Sequence, residues 1–167
     1  MTSGDGIPMT PDDHQALLDY IEDTKRRLGE VLEWQANPTT GDGWHDESFG
    51  RVSREAQRLF AEIRDLELLR DSATIVVPEE QNYEVRIGTG VVLKHPDGSR
   101  AQYLVCGYVH GERGMECVSV RAPLGQALLG KHYGEEIVYE VEGQKKTLEL
   151  YDILSPKEVR LRIEGSI

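Results

Sequence analysis

The stretch from Gly41 to Phe49 reads Gly-Asp-Gly-Trp-His-Asp-Glu-Ser-Phe and concentrates three carboxylates, Asp42, Asp46 and Glu47. It presents a cluster of anionic oxygens on a turn, between two segments that each repeat apolar residues at heptad spacing. A turn of that kind lies at the far end of a helical hairpin, where it can reach into a partner's cavity. Trp44 shares the turn, and a large aromatic there has two readings: stacking on a base, or folding back on the hairpin end. His45 reads as a solvated loop residue, with a metal or RNA role as the sharper alternative. Cys106 and Cys117 have no metal-ligand spacing and no disulfide framework around them. They read as reduced residues of a sheet.

The elements that must position the turn come on both sides of it. Thr10-Pro11-Asp12-Asp13 is a helix start, with Thr10 as cap, Pro11 at the first helical position and the aspartates at the positive end of the dipole. His14, Leu17, Ile21, Thr24, Leu28, Val31 and Gln35 then recur at steps of three and four, until Asn37-Pro38 ends the helix. Phe49, Val52, Ala56, Leu59, Ile63 and Leu66 repeat the pattern, with Phe60 and Leu69 widening the stripe. Two such helices joined by a short connection fold back antiparallel. At about 1.5 Å per residue the arm is on the order of 35 Å long.

After Ser72 the period changes to alternation. Ile75–Pro78 opens a β-rich segment; Gly90–Lys94 and Gln102–Cys106 flank the Asp97-Gly98 turn; Glu116–Val120 adds a strand. A short helix follows Pro123 and stops at Gly130, and Ile137–Val141 with Thr147–Leu150 forms a second hairpin. Val159–Ile163 alternates apolar and charged residues and reads as an edge strand. The expected organisation is a mobile 1–9, a helical hairpin over 10–72 with its tip at 38–48, and an α+β unit over 73–167 built from an antiparallel sheet and one short helix.

Net charge is −11 over 167 residues, which argues against a protein that binds nucleic acid by itself. Residues 10–72 hold 15 acidic and 8 basic side chains, so the acidity is concentrated in the arm. No segment approaches the roughly 20 apolar residues of a membrane span, and no signal pattern opens the chain, so the expected location is the cytoplasm.

Ala122-Pro123-Leu124-Gly125-Gln126-Ala127-Leu128-Leu129-Gly130-Lys131, followed by Tyr133-Gly134-Glu135-Glu136, resembles the signature of bacterial Gre-type transcript cleavage factors. Ile7-Pro8-Met9-Thr10 is similar to that family's start, and Gly41-Asp42 with Phe49 matches its hairpin tip without a gap. The likeness covers about residues 7–153. It implies an FKBP-like C-terminal fold and a protein that is not itself an enzyme. Such a factor binds RNA polymerase as a single copy, docking on the rim of the secondary channel and passing the hairpin down it. Tip acids then help hold an Mg²⁺ shared with the polymerase active site, which cleaves its own backtracked transcript; oxygen ligands suit that ion.

By position, the resemblance assigns the tip role to Asp42, with Asp46 and Glu47 as neighbouring acids. The family's second acid falls on His45, a poor Mg²⁺ ligand. Docking falls on Arg121, Ala122, Pro123 and Leu124, where relatives carry an acidic residue and a serine in place of Arg121 and Ala122. Arg51 and Arg54, with Trp44, are the candidates for contact with the RNA 3′ end, against the plain reading of helix-surface ion pairs. Three other outcomes stand beside cleavage stimulation. One is a cleavage-inactive relative that restrains polymerase through the channel. Another is an FKBP-like peptidyl-prolyl isomerase or chaperone, although the C-terminal half has no Trp or Phe. The last is a purely structural coiled-coil adaptor.

Overall fold

The computed structural model describes residues 6–36, 46–109 and 113–165, of which 46–49 by their helical backbone alone. Helix α1 (Pro11–Ala36) starts on a reciprocal cap. The Asp13 N–H donates to Thr10 Oγ1 at 3.1 Å, and the Thr10 N–H donates to Asp13 Oδ2 at 3.0 Å. Helix α2 (Asp46–Asp71) runs back beside it. At 26 residues each, the helices are roughly 39 Å long.

The heptad positions make the seam. Leu17, Ile21, Thr24 and Leu28 are buried on α1, and Ala56, Leu59 and Ile63 on α2. Burying each large aliphatic chain contributes about 1.5–3 kcal/mol over leaving it exposed. Phe60 does not widen the stripe: it is 55% exposed. It follows Leu59 by one residue, about 100° around the helix, so it points away from α1.

The arm is tied down by a pair of strands. β1 (Ile7–Met9) lies parallel to β2 (Ala73–Ile75), joining the chain's start to the end of α2. Ile7–Met9 are therefore a strand, not part of the mobile segment expected over 1–9. The polar, glycine-rich composition around them hides one strong anchor, Met9, which is fully buried against Leu17 and Ile21.

Five further strands form one sheet in the order β5-β4-β3-β7-β6. They are β3 (Gly90–Lys94), β4 (Arg100–Cys106), β5 (Cys117–Ser119), β6 (Glu136–Val141) and β7 (Gln144–Leu154). The β6–β7 turn places Glu142 and Gly143 at φ 52° and 76°, the left-handed pair that suits a two-residue hairpin. β5 departs from the antiparallel expectation and runs parallel to β4. It pairs only with the last three residues of β4, Cys117 standing opposite Leu104 and Ser119 opposite Cys106.

Both faces of the sheet are covered, which changes the count of helices. Under α3 (Pro123–Leu128) lie Val91, Leu93, Val105 and Leu150, against which the helix buries Leu128. On the other face Val92, Leu104, Cys106 and Leu154 pack against Val159 of α4 (Pro156–Glu164). The segment read as an edge strand at Val159–Ile163 is thus a second helix. Ser155 caps it: the Glu158 N–H donates to Ser155 Oγ at 3.3 Å, and the Ser155 N–H donates to Glu158 Oε2 at 2.7 Å. That local capping box outweighs the short apolar–charged alternation.

Candidate functional site

The distal half of the arm is held by the arm alone. Leu28 and Val31 of α1 meet Ala56, Leu59 and Ile63 of α2 in a cluster to which the sheet contributes nothing. Lys25 Nζ reaches Glu67 at 2.8 Å across the helices, and Arg27 lies 3.9 Å from Glu55. Near the distal end Trp34 is 48% exposed and shares a shallow groove with Val31, Val52 and Glu55. The last residue of α1, Ala36, and the first of α2, Asp46, therefore lie at the end away from the sheet. Asp42, Trp44 and His45 lie outside the described residues. Asp46 and Glu47 occupy the first two positions of α2, about 100° apart around its axis. Carboxylates there also favour the helix by meeting the positive end of its dipole.

Arg51 and Arg54 are exposed on the first turns of α2, on the side of the distal end. Arg58, farther along, lies 3.9 Å from Glu55.

The arm's base is braced by buried polar contacts that the sequence reading missed. Asp13, expected only to face the helix dipole, is fully buried. Its Oδ2 also accepts from the Gly107 N–H at 2.8 Å, and its Oδ1 accepts from Arg113 Nη1 at 2.5 Å. Burial works against the Arg113 charge, but the Asp13 hydrogen bond and charge outweigh it and raise the guanidinium's pKa. Tyr20 on α1 donates to Glu62 on α2, and that bond raises the Tyr20 hydroxyl's pKa. Tyr108, from the loop after β4, packs with Met9, Leu17, Ile21 and Leu66, and burial pushes it up to about 12. A cleft of about 550 Å³ opens beside this base between Asp13, Arg113, Val159 and Arg160. It is a joint between elements, and Arg121, Ala122, Pro123 and Leu124 do not line it.

The docking candidates are adjacent on one corner. Arg121 and Pro123 are exposed, and Ala122 is half-buried. Ala122 precedes α3 in extended geometry without a side-chain cap, and Pro123 takes the first turn. The corner is fixed instead by backbone: the Ala122 N–H donates to the Ser119 carbonyl at 3.0 Å and the Gln126 N–H to the Ala122 carbonyl at 2.9 Å. Leu124 turns inward against the main core. Gly125 shows why the segment is so constrained, because a Cβ there would stand 1.8 Å from the Ser119 carbonyl oxygen. The structure thus brings Arg121 to Leu124 together at the sheet core, apart from the arm's distal cluster.

The six tyrosines of the C-terminal unit do not gather into one aromatic pocket, and Tyr83 is 60% exposed. Tyr103 and Tyr139 pack on the main core, Tyr151 lies under Arg100 at 3.7 Å, Tyr108 braces the arm, and Tyr133 is 71% exposed.

Residues 80–155 match the family described as "Transcription elongation factor, GreA/GreB, C-term". The transcription elongation factor GreA of Chlorobaculum parvum is 30% identical over 155 residues, covering 89% of this chain and 97% of its own. That of Bacillus cytotoxicus is 25% identical over 150 residues, covering 87% and 95%. Among solved structures, GreA factor homolog 1 (Gfh1) of Thermus thermophilus aligns over 89% of this chain and 98% of its own, at 23% identity and a TM-score of 0.41.

Proposed function

Because this chain belongs to the GreA/GreB family of transcription elongation factors, we propose that it binds RNA polymerase and works by inserting the end of its arm into the secondary channel. The observation that carries this reading is the division of packing along the hairpin. The proximal half shares its core with β1, β2 and Tyr108, while the distal half packs only helix on helix. Such an arm is rooted in a folded body and presents its far end to a narrow space.

In this reading Arg121, Ala122, Pro123 and Leu124 dock the body on the channel rim, in the cytoplasm and as a single copy. Asp42, Asp46 and Glu47 supply oxygen donors to the polymerase's Mg²⁺, an ion that takes few ligands from protein and prefers carboxylates. The catalysis is the polymerase's, and the protein assists it. Arg51 and Arg54 lie on the side of the end that would meet the RNA 3′ terminus, and Trp44 would act with them. A second reading, a channel-occupying factor that restrains polymerase without cleavage, is favoured by His45 standing where relatives carry an acid.

Stalled, backtracked elongation complexes from the host decide between them. Shortened transcripts on addition of the protein establish an active tip. Slower elongation without shortening establishes a plug, and absence of any complex with polymerase overturns both. Turnover of a model proline peptide would instead favour the isomerase reading, against which the dispersed tyrosines argue.

A further inference from the structure

We propose that Cys106 and Cys117 form a peroxide-reactive dithiol, and that its closure to a disulfide loosens the base of the arm. Cys106 is the last residue of β4 and Cys117 the first of β5. Together they bracket the segment that supplies both the Gly107 N–H and the Arg113 guanidinium to Asp13. Nothing in their surroundings makes them a metal site, since no group of three or more metal-ligating side chains occurs among the described residues.

The geometry places the thiols together and makes them unequal. They lie on the same face of neighbouring strands, with Cys117 packed against the cluster that holds Cys106. Cys106 is fully buried and faces the Val118 carbonyl at 3.6 Å, whereas Cys117 is partly exposed, 3.5 Å from the Met115 carbonyl. The neighbouring Cys106 thiol and the charge of Arg113 draw the Cys117 thiol down to about 7. The neighbouring Cys117 thiol, together with burial, pushes the Cys106 thiol up. Cys117 is thus the attacking thiolate and Cys106 the proton-bearing partner.

The chemistry balances with hydrogen peroxide as oxidant. The Cys117 thiolate attacks one peroxide oxygen; an S–O bond forms, the O–O bond breaks, and hydroxide leaves, so sulfur is oxidised and peroxide reduced. The Cys106 sulfur then attacks the Cys117 sulfenic acid. The S–S bond forms, the S–O bond breaks, and the Cys106 proton leaves with the departing hydroxide as water.

Closure has a structural consequence. Cys117 stands opposite Leu104 and Cys106 opposite Ser119, so the cysteines are diagonal neighbours across two strands. Diagonal positions are about 7–8 Å apart, beyond the usual Cα separation of about 5.5–6 Å in a disulfide. One strand must therefore move. β5 is the candidate, because it has three residues and pairs only with β4 at the sheet's edge. Its displacement pulls on Met115, Gly114 and Arg113, and so on the ion pair to Asp13.

The test uses the full chain, reduced and then treated with hydrogen peroxide. Intact mass should fall by about 2 Da, with both free thiols lost together and restored by dithiothreitol. Cys106→Ala should stop at a sulfenic acid that dimedone traps, and Cys117→Ser should slow oxidation by about tenfold or more. In hydrogen exchange, the Gly107 and Asp13 amides of the oxidised chain should open at least about tenfold more readily. Stepwise addition of oxygen without a disulfide, or cross-linking only between two chains, would overturn the site. A disulfide that leaves those amides unchanged would overturn the coupling. If either variant fails to fold by circular dichroism, the wild-type mass and exchange data decide alone.

Discussion

Asp13, in the first turn of α1, and Arg113, one hundred positions later, form an ion pair at 2.5 Å with 1% and 12% of their side chains exposed. Asp13 does three jobs at once: it completes the cap on Thr10, accepts from Gly107 and neutralises Arg113. Through it the direction of a two-helix arm is set by a loop of the sheet unit, because a buried charge tolerates little displacement from its partner.

Replacing Asp13 by Ala should therefore cost about 3–5 kcal/mol in urea unfolding, since Arg113 is left buried and unpaired. Asp13→Asn keeps an acceptor for Thr10 and Gly107 and should fall between wild type and Asp13→Ala. The exposed neighbour Asp12→Ala should change stability by about 0.5 kcal/mol or less. Equal effects of Asn and Ala would mean that the charge, not the hydrogen bonds, is what matters.

Tyr108 gives the same joint a dependence on alkaline pH. An unfolded tyrosine titrates near about 10, and burial holds Tyr108 up to about 12. Between those values the unfolded chain releases a proton that the folded chain keeps. The contribution is complete below about 10 and is lost as pH rises toward about 12. Tyr20 shifts in the same direction through its bond to Glu62, so it steepens the same limb. Urea midpoints across this range should fall with pH in the wild type and fall less in Tyr108→Phe; parallel curves would exclude Tyr108 as the cause.

Gly125 stands inside the family's signature, yet its role here is packing. A methyl group at this position meets the Ser119 carbonyl oxygen at 1.8 Å, backbone against backbone, so α3 must shift from β5 to admit it. Gly125→Ala should lower stability by about 1–3 kcal/mol or more. Arg121→Ala, on the exposed corner, should leave the melting temperature unchanged and alter polymerase affinity instead. A stable Gly125→Ala variant would show that α3 is free to move.

Ser155→Ala tests the element that the sequence disguised. Loss of the capping box should cost about 0.5–2 kcal/mol and fray α4 away from Val92, Leu104 and Leu154. No change in thermal unfolding would mean that α4 is held by Val159 alone.

What could be read from the chain follows from what is local. The arm was legible because burial at Leu17, Ile21, Leu28, Leu59 and Ile63 repeats with a helix's period. The strands around the Asp97-Gly98 turn were legible because a hairpin's two halves are neighbours in sequence. β1 escaped because three residues pair with a strand more than sixty positions away, and only closure of the arm brings them together. α4 escaped because Val159, Leu161 and Ile163 alternate, and nine residues are too few to tell two periods apart. Asp13 was placed on the right turn for the right local reason, but nothing near it announces Arg113.

The tip is where family likeness and this sequence diverge, and substitution can turn that divergence into a measurement. If Asp42 is the principal oxygen donor, Asp42→Asn should lower transcript cleavage by about tenfold or more, the order lost when support for a metal is removed. Asp46 and Glu47, as successive positions of α2, diverge by about 100° and cannot serve alike. One of Asp46→Asn and Glu47→Gln should be costly and the other nearly silent. Neither should unfold the arm, since a charge at a helix start contributes only about 0.3–1 kcal/mol. His45→Asp restores the acid that relatives carry. If His45 is what limits cleavage, this variant should exceed the wild type in transcript shortening on backtracked complexes. A His45→Asp chain that gains nothing, while Asp42→Asn also loses nothing, would mean that the arm blocks the channel and its carboxylates serve no metal.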